Sequence, residues 1–183
     1  MRLCFSKKIQ KLDDPKWIAS LIYKFCKEYK VRPDILSALI FQESRGDIWA
    51  QRYELGFYKK FIEWRGRNDL SGYVPPQLPT LITEKMNRAT SFGLCQLLGE
   101  TLRVQGFKGD YMIEACNPEI NIKYGCLYLK KCLDLNIKQG SEILQYKAAL
   151  SLYNGIRNHE NSRYDELVLS HLETGAYKNV LVY

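Results

Sequence analysis

The residue of this chain best suited to chemistry is Glu43, an acid that directly follows the apolar run Leu39-Ile40-Phe41. A carboxyl group carried on such a face is partly desolvated, which disfavours its charged form and raises its pKa. A carboxylic acid still protonated near neutral pH can hand its proton to a leaving oxygen. The plainer role is a helix-end glutamate paired with Arg45 or a nearby lysine. His159 and His171 are the only histidines and there is no Cys-x-x-Cys, so a metal site has little to build on and no cofactor is expected. The six cysteines, Cys4, Cys26, Cys95, Cys116, Cys126 and Cys132, are expected as free buried thiols that pack as small hydrophobes. Cys126 and Cys132 lie six apart on one expected helix and so should point to different faces, while Cys26 and Cys95 take core-facing positions.

The elements that must position Glu43 are helical. Asp13 or Asp14 caps a helix with Pro15 in its first turn, and Trp17, Ile18, Leu21, Ile22, Phe25, Cys26 and Tyr29 recur at three and four spacing. Val31-Arg32-Pro33 breaks it, and Pro33-Asp34 opens a more uniformly apolar helix through Ile35, Leu36, Leu39 and Ile40, expected to be central and ending at Glu43-Ser44. Residues 47–90 carry the weakest periodicity: a short helix around Phe57–Trp64, a Gly- and Pro-rich loop over Gly66–Pro79, and a helix after Thr80. Two helical turns interrupted near Gly99 are expected from Ser91 to Gln105. Asn117-Pro118 starts a helix through Cys132 with an apolar seam at Ile122, Leu129 and Cys132, Ser141 caps another that Asn154-Gly155 stops, and a last helix lies near Tyr164–Leu172. Alternating β-branched runs are nearly absent, so the fold class is all-α, or α with a minor β-hairpin, with no domain boundary within residues 1–183.

At 183 residues, 46% hydrophobic and 26% charged, the chain is long enough to bury a core without disulfide or metal staples, and neither a disordered nor a collagen-like class is indicated. A net charge of +7 and a pI near 9.0 suit an acidic partner. The basic residues are spread rather than blocked, and no nucleic-acid or phosphate motif accompanies them, so no nucleic acid is expected as partner. No stretch approaches membrane-spanning length, and the N-terminal MRLCFSKKIQKLDDPK lacks the apolar centre of a signal peptide.

Three segments, in order, carry a resemblance: Ala38-Leu39-Ile40-Phe41-Gln42-Glu43-Ser44, then Thr90-Ser91-Phe92-Gly93-Leu94-Cys95-Gln96-Leu97, then Ala148-Ala149-Leu150-Ser151-Leu152-Tyr153-Asn154-Gly155. They resemble the Glu-Ser, Gly-Leu-Met-Gln and Ala-x-x-x-Tyr-Asn motifs of the lysozyme-like lytic transglycosylases, with Asn117–Gly125 and Tyr128-Leu129 similar to the helix between the last two. Each motif is weak alone; their order across residues 33–155 is the signal. Asp47–Tyr58 and Arg88-Ala89-Thr90-Ser91 resemble a phage-type variant with an insertion after the catalytic Glu, here about residues 47–90, and Gly175–Leu181 is loosely similar to the family's closing Tyr and Val-Leu. Two departures stand out: Cys95 replaces the usual Met, which should leave a smaller apolar wall under the sugar, and Leu55 replaces Pro.

The resemblance implies a lysozyme-like fold and cleavage of the N-acetylmuramic acid–N-acetylglucosamine bond of peptidoglycan. Glu43 would act first as acid and then as base while the muramoyl 6-hydroxyl closes a 1,6-anhydro ring. Gln96 and Asn154 would hydrogen-bond N-acetyl groups, Tyr153 would present its ring or hydroxyl near Glu43, and Ser44 would fix the helix end. Glu54 stays open between a second active-site acid, a binding role and a salt bridge to Arg52. Aromatics Trp49, Tyr53, Phe57, Tyr58 and Trp64 would stack on sugars or pack residues 47–90 onto the core. The alternatives are a hydrolytic muramidase using Glu43 with Glu54 or water, and a non-catalytic wall-binding or virion-structural module. A monomer acting on the cell wall, without stable membrane insertion, is expected, phage-encoded or exported by a non-standard route.

Overall fold

The computed structural model describes residues 14–76, 80–137, 140–156 and 163–179. Among these residues eight α-helices surround one apolar core and carry a small sheet at one side: α1 (Pro15–Tyr29), α2 (Pro33–Ser44), α3 (Leu55–Phe57), α4 (Leu81–Arg88), α5 (Gly99–Val104), α6 (Pro118–Leu135), α7 (Glu142–Tyr153) and α8 (Tyr164–Thr174). Asp14 caps α1 by accepting from the Lys16 amide (3.0 Å), and Pro15 follows it, as expected. Helix α2 is central: Ile35 through Ile40 are all buried, Ser37 included, because α1 packs on one side and α8 on another. Tyr146 of α7 closes the α1–α2 junction, its hydroxyl accepting from the Arg32 amide (2.8 Å). Ser141 stands at the N-cap of α7 but makes no side-chain cap, contrary to expectation. Cys4, His159 and the tail from Val180 lie outside the described residues.

Three antiparallel strands, β1 (Gln51–Tyr53), β2 (Thr90–Phe92) and β3 (Leu97–Leu98), form a sheet in the order β1-β2-β3. The expected helical turns over 91–105 are corrected here: residues 90–98 are a hairpin, and the helix starts at Gly99 instead of being interrupted there. Gly99 must be glycine, since a Cβ would meet the Asn87 carbonyl oxygen at 2.1 Å. The segment before β2 follows expectation in outline. A helical stretch runs through α3 into a π-helical turn at Tyr58–Ile62, and α4 follows Thr80, whose hydroxyl accepts from the Thr83 amide (3.3 Å).

Helix α6 packs against α1 and α7, and its N-terminal turns follow the 3₁₀ turn Met112–Cys116. Cys126 and Cys132 are therefore both buried despite pointing to different faces, and the Cys126 sulfur touches that of Cys26 at 3.8 Å. All five described cysteines are free and buried. Cys95 fills the space opposite Gly125, where a Cβ would meet its sulfur at 2.5 Å.

Candidate active site

The end of α2, the β2–β3 hairpin and the end of α7 meet at a cleft of about 410 Å³, which β1 closes from a fourth side. Glu43, Arg52, Glu54, Gln96, Tyr128, Tyr153 and Asn154 are among its lining residues. Five of the six singled-out residues thus share one cleft; Ser44 does not line it but shapes the helix end behind it. The Ser44 hydroxyl donates to the Ile40 carbonyl (3.2 Å) and accepts from the Gly46 amide (3.2 Å), while Arg45 turns left-handed at φ 55° to end the helix.

Burial holds the Glu43 carboxyl above its ordinary pKa. Hydrogen bonding from Tyr164 and the nearby Arg52 charge oppose that shift, and Glu54 reinforces it. Lying in the last turn of α2, Glu43 also faces the negative end of the helix dipole. Tyr164 is the residue that sequence reasoning missed: its phenol donates to Glu43 Oε1, and among the described residues Oε2 has no hydrogen-bond partner. Burial and the Glu43 charge raise the Tyr164 pKa well above its ordinary value, so the phenol stays a donor. Helix α8 is held in place by buried Asp165, which accepts from Ser151 of α7 (3.2 Å), and by His171, which meets Gln42 at 2.8 Å. No local pattern around Tyr164 announces a partner 121 residues away.

Tyr153 lines the cleft with Glu43, whose charge acts on it, while its hydroxyl donates to the Cys95 carbonyl (2.8 Å) and its ring lies tilted against Tyr128 at 5.0 Å. It braces the hairpin and walls the cleft, and the phenol on the acid is Tyr164's. Cys95 is not a wall under a sugar, because its side chain is fully buried against Gly125. Gln96 takes a left-handed backbone (φ 44°) and locks its own turn, its amide nitrogen donating to the carbonyls of Ala50 and Gly93 (both 2.9 Å). Among the described residues its Oε1 has no partner, which leaves an acceptor for a ligand. Asn154, at the C-cap of α7, has an exposed amide beside it in the cleft.

Asn121 of α6 sets the height of that hairpin. Fully buried, it accepts from the Cys95 amide (2.7 Å) and donates to the carbonyls of Phe92 (2.9 Å) and Ala115 (2.8 Å). Glu54 pairs with Arg52, Oε1 to Nε at 2.5 Å, on the rim. Of the aromatics in residues 47–90, Trp49, Tyr53, Phe61 and Trp64 are exposed, whereas the apolar side chains of Ile62 and Leu70 are buried.

Among the described residues no cluster of three or more His, Cys, Asp or Glu is arranged to hold a metal ion, and no helix is long and apolar enough to cross a membrane. No curated protein and no solved structure matches the chain. The family model described as Transglycosylase SLT domain matches residues 20–166, a span that contains the end of α2, the hairpin, the end of α7 and Tyr164. With its mostly helical fold, small sheet and acid-bearing cleft, the chain belongs to the SLT transglycosylase family and is a peptidoglycan lytic transglycosylase.

Proposed function

We propose that this enzyme cleaves the β-1,4 bond between N-acetylmuramic acid and N-acetylglucosamine with formation of 1,6-anhydro-N-acetylmuramic acid, Glu43 serving as acid and then as base. The observation that carries the reading is the half-buried Glu43 carboxyl in the cleft, its pKa raised by desolvation and only its Oε1 held by Tyr164. Protonated at Oε2, it delivers its proton to the glycosidic oxygen as the C1–O bond breaks. The resulting carboxylate takes the proton of the muramoyl 6-hydroxyl as that oxygen bonds to C1, so water is not consumed. Tyr164 then stabilises the transient carboxylate by a charge-assisted bond. The Gln96 acceptor and the Asn154 amide supply opposite ends of a hydrogen-bonding site for N-acetyl groups.

A hydrolytic muramidase is the second reading, and one observation favours it: Glu54 lines the same cleft and its charge acts on Glu43. Against it stands the Arg52–Glu54 ion pair, which engages Oε1 of the carboxylate that would activate water. Mass spectrometry of digested peptidoglycan distinguishes them. The transglycosylase reading expects products lighter by one water and their loss in Glu43→Gln; reducing-end products from the wild type would overturn it.

A further inference from the structure

Among the described residues Arg52 is the one cation lining a cleft that otherwise presents two carboxylates, amides, hydroxyls, rings and two leucines. Its position follows from the sheet register, in which Arg52 is directly opposite Ser91, itself a lining residue. Residues opposite each other in an antiparallel pair point to the same face, so β1 aims this side chain at the cleft while Gln51 and Tyr53 turn away. Only Nε engages Glu54, at 2.5 Å; among the described residues the two terminal nitrogens have no hydrogen-bond partner, and the side chain is 66% exposed. An uncharged glycan such as an N-acetylglucosamine oligomer offers that free edge only neutral oxygens and no anion to pair with. A muramoyl residue supplies that anion, because its lactyl group ends in a carboxylate or carries a peptide that ends in one.

We infer that the free edge of the Arg52 guanidinium binds the carboxylate carried by the muramoyl residue, so that Arg52 selects acid-bearing glycan strands over uncharged ones. Glu54 holds the guanidinium plane through Nε, and the planar fork meets a carboxylate in two parallel bonds. The assignment rests on the lytic transglycosylase reading, since it takes the peptidoglycan strand as the cleft's occupant. Arg52 touches no bond that breaks or forms; its role is selection.

Binding to Glu43→Gln, with and without Arg52→Gln, tests this by calorimetry on three ligands of equal length: a glycan with peptide stems, one without stems and so with free lactyl carboxylates, and an uncharged N-acetylglucosamine oligomer. The inference expects Arg52→Gln to weaken binding of an acid-bearing ligand roughly five- to tenfold and of the uncharged oligomer by less than about twofold. Loss on the stem-free ligand assigns the lactyl carboxylate, and loss on the stem-bearing ligand alone assigns a carboxylate of the stem. Equal weakening of all three, or of none, overturns the assignment and leaves the functional reading standing. If Glu43→Gln binds none of the three, the functional reading fails and the assignment fails with it.

Discussion

In α2 the buried positions are Ile35, Leu36, Ala38, Leu39 and Ile40 with the single hydroxyl of Ser37, whereas the side chains that tie residues 63–76 to α4 and α5 are Arg65, Glu84, Arg88, Glu100 and Arg103. In the second region Glu84 is 1% exposed and Arg88 and Arg103 are fully buried, so the interior there is ionic. Glu84 accepts from Arg88 (3.0 Å) and from Arg103 through both oxygens (2.9 and 3.1 Å). Arg88 also reaches Glu100 (2.5 Å) and the carbonyls of Ser71 (2.7 Å) and Tyr73 (2.8 Å), and Arg103 reaches those of Phe107 (3.0 Å) and Gly109 (2.8 Å). The difference has a physical origin. A helix hides its own backbone groups, but a loop of Gly and Pro exposes carbonyls that need donors, and a buried guanidinium supplies several at once. The cleft lies on the seam, its acid drawn from the apolar region and Arg52 and Glu54 from the segment beside the ionic one.

Breaking the ionic region at its hub should have the largest effect on stability. Glu84→Leu leaves the buried Arg103 guanidinium without a carboxylate and Arg88 with Glu100 alone, and denaturant unfolding should show a loss of about 3–5 kcal/mol. In the apolar region Leu39→Ala should cost about 2–5 kcal/mol by cavity formation, with the cleft's ligand binding weakened through the displaced end of α2. A smaller and more specific change is Gly125→Ala, which drives a methyl into the Cys95 sulfur. It should cost about 1–3 kcal/mol, and Cys95→Ala in the same chain should recover most of that by removing the obstruction.

The smallest of these effects lies at the seam itself. Tyr164→Phe removes the bond that lowers the Glu43 pKa, so kcat should fall about tenfold and the alkaline limb of the pH–rate profile should move to higher pH. A limb that stays put or moves down would remove Tyr164 from the acid's control. The linkage to stability has a definite sign. Because the Glu43 pKa is raised in the folded state, the native protein keeps that proton to higher pH than the unfolded chain, and stability falls as pH rises through that window. Glu43→Gln should flatten this part of a Tm series taken from about pH 4 to 8.

The two regions also differ in how well the sequence exposes them. Helix α1 is legible because its apolar residues repeat with helical period and Asp14-Pro15 marks its start; α2 and Glu43 are legible because an acid ends an apolar run. The hairpin of β2 and β3 was hidden because strands of three and two residues are too short to display alternation. Nothing in the sequence marks Arg88 and Arg103 as buried, since charge signals exposure until burial partners from distant turns are known. Gln96, Tyr153 and Asn154 were placed in the cleft by their order in the chain, but the division of labour between Tyr153 and Tyr164 depends on how α8 folds back over α2, which no local pattern encodes.

The central claim is that Glu43 returns its proton exchange to the sugar's own hydroxyl rather than to water. Digestion of peptidoglycan in ¹⁸O-labelled water tests it most directly. The account predicts anhydro ends with no label in the newly formed muramoyl terminus, and no such ends with Glu43→Gln; label at that terminus, or undiminished cleavage by Glu43→Gln, would contradict it.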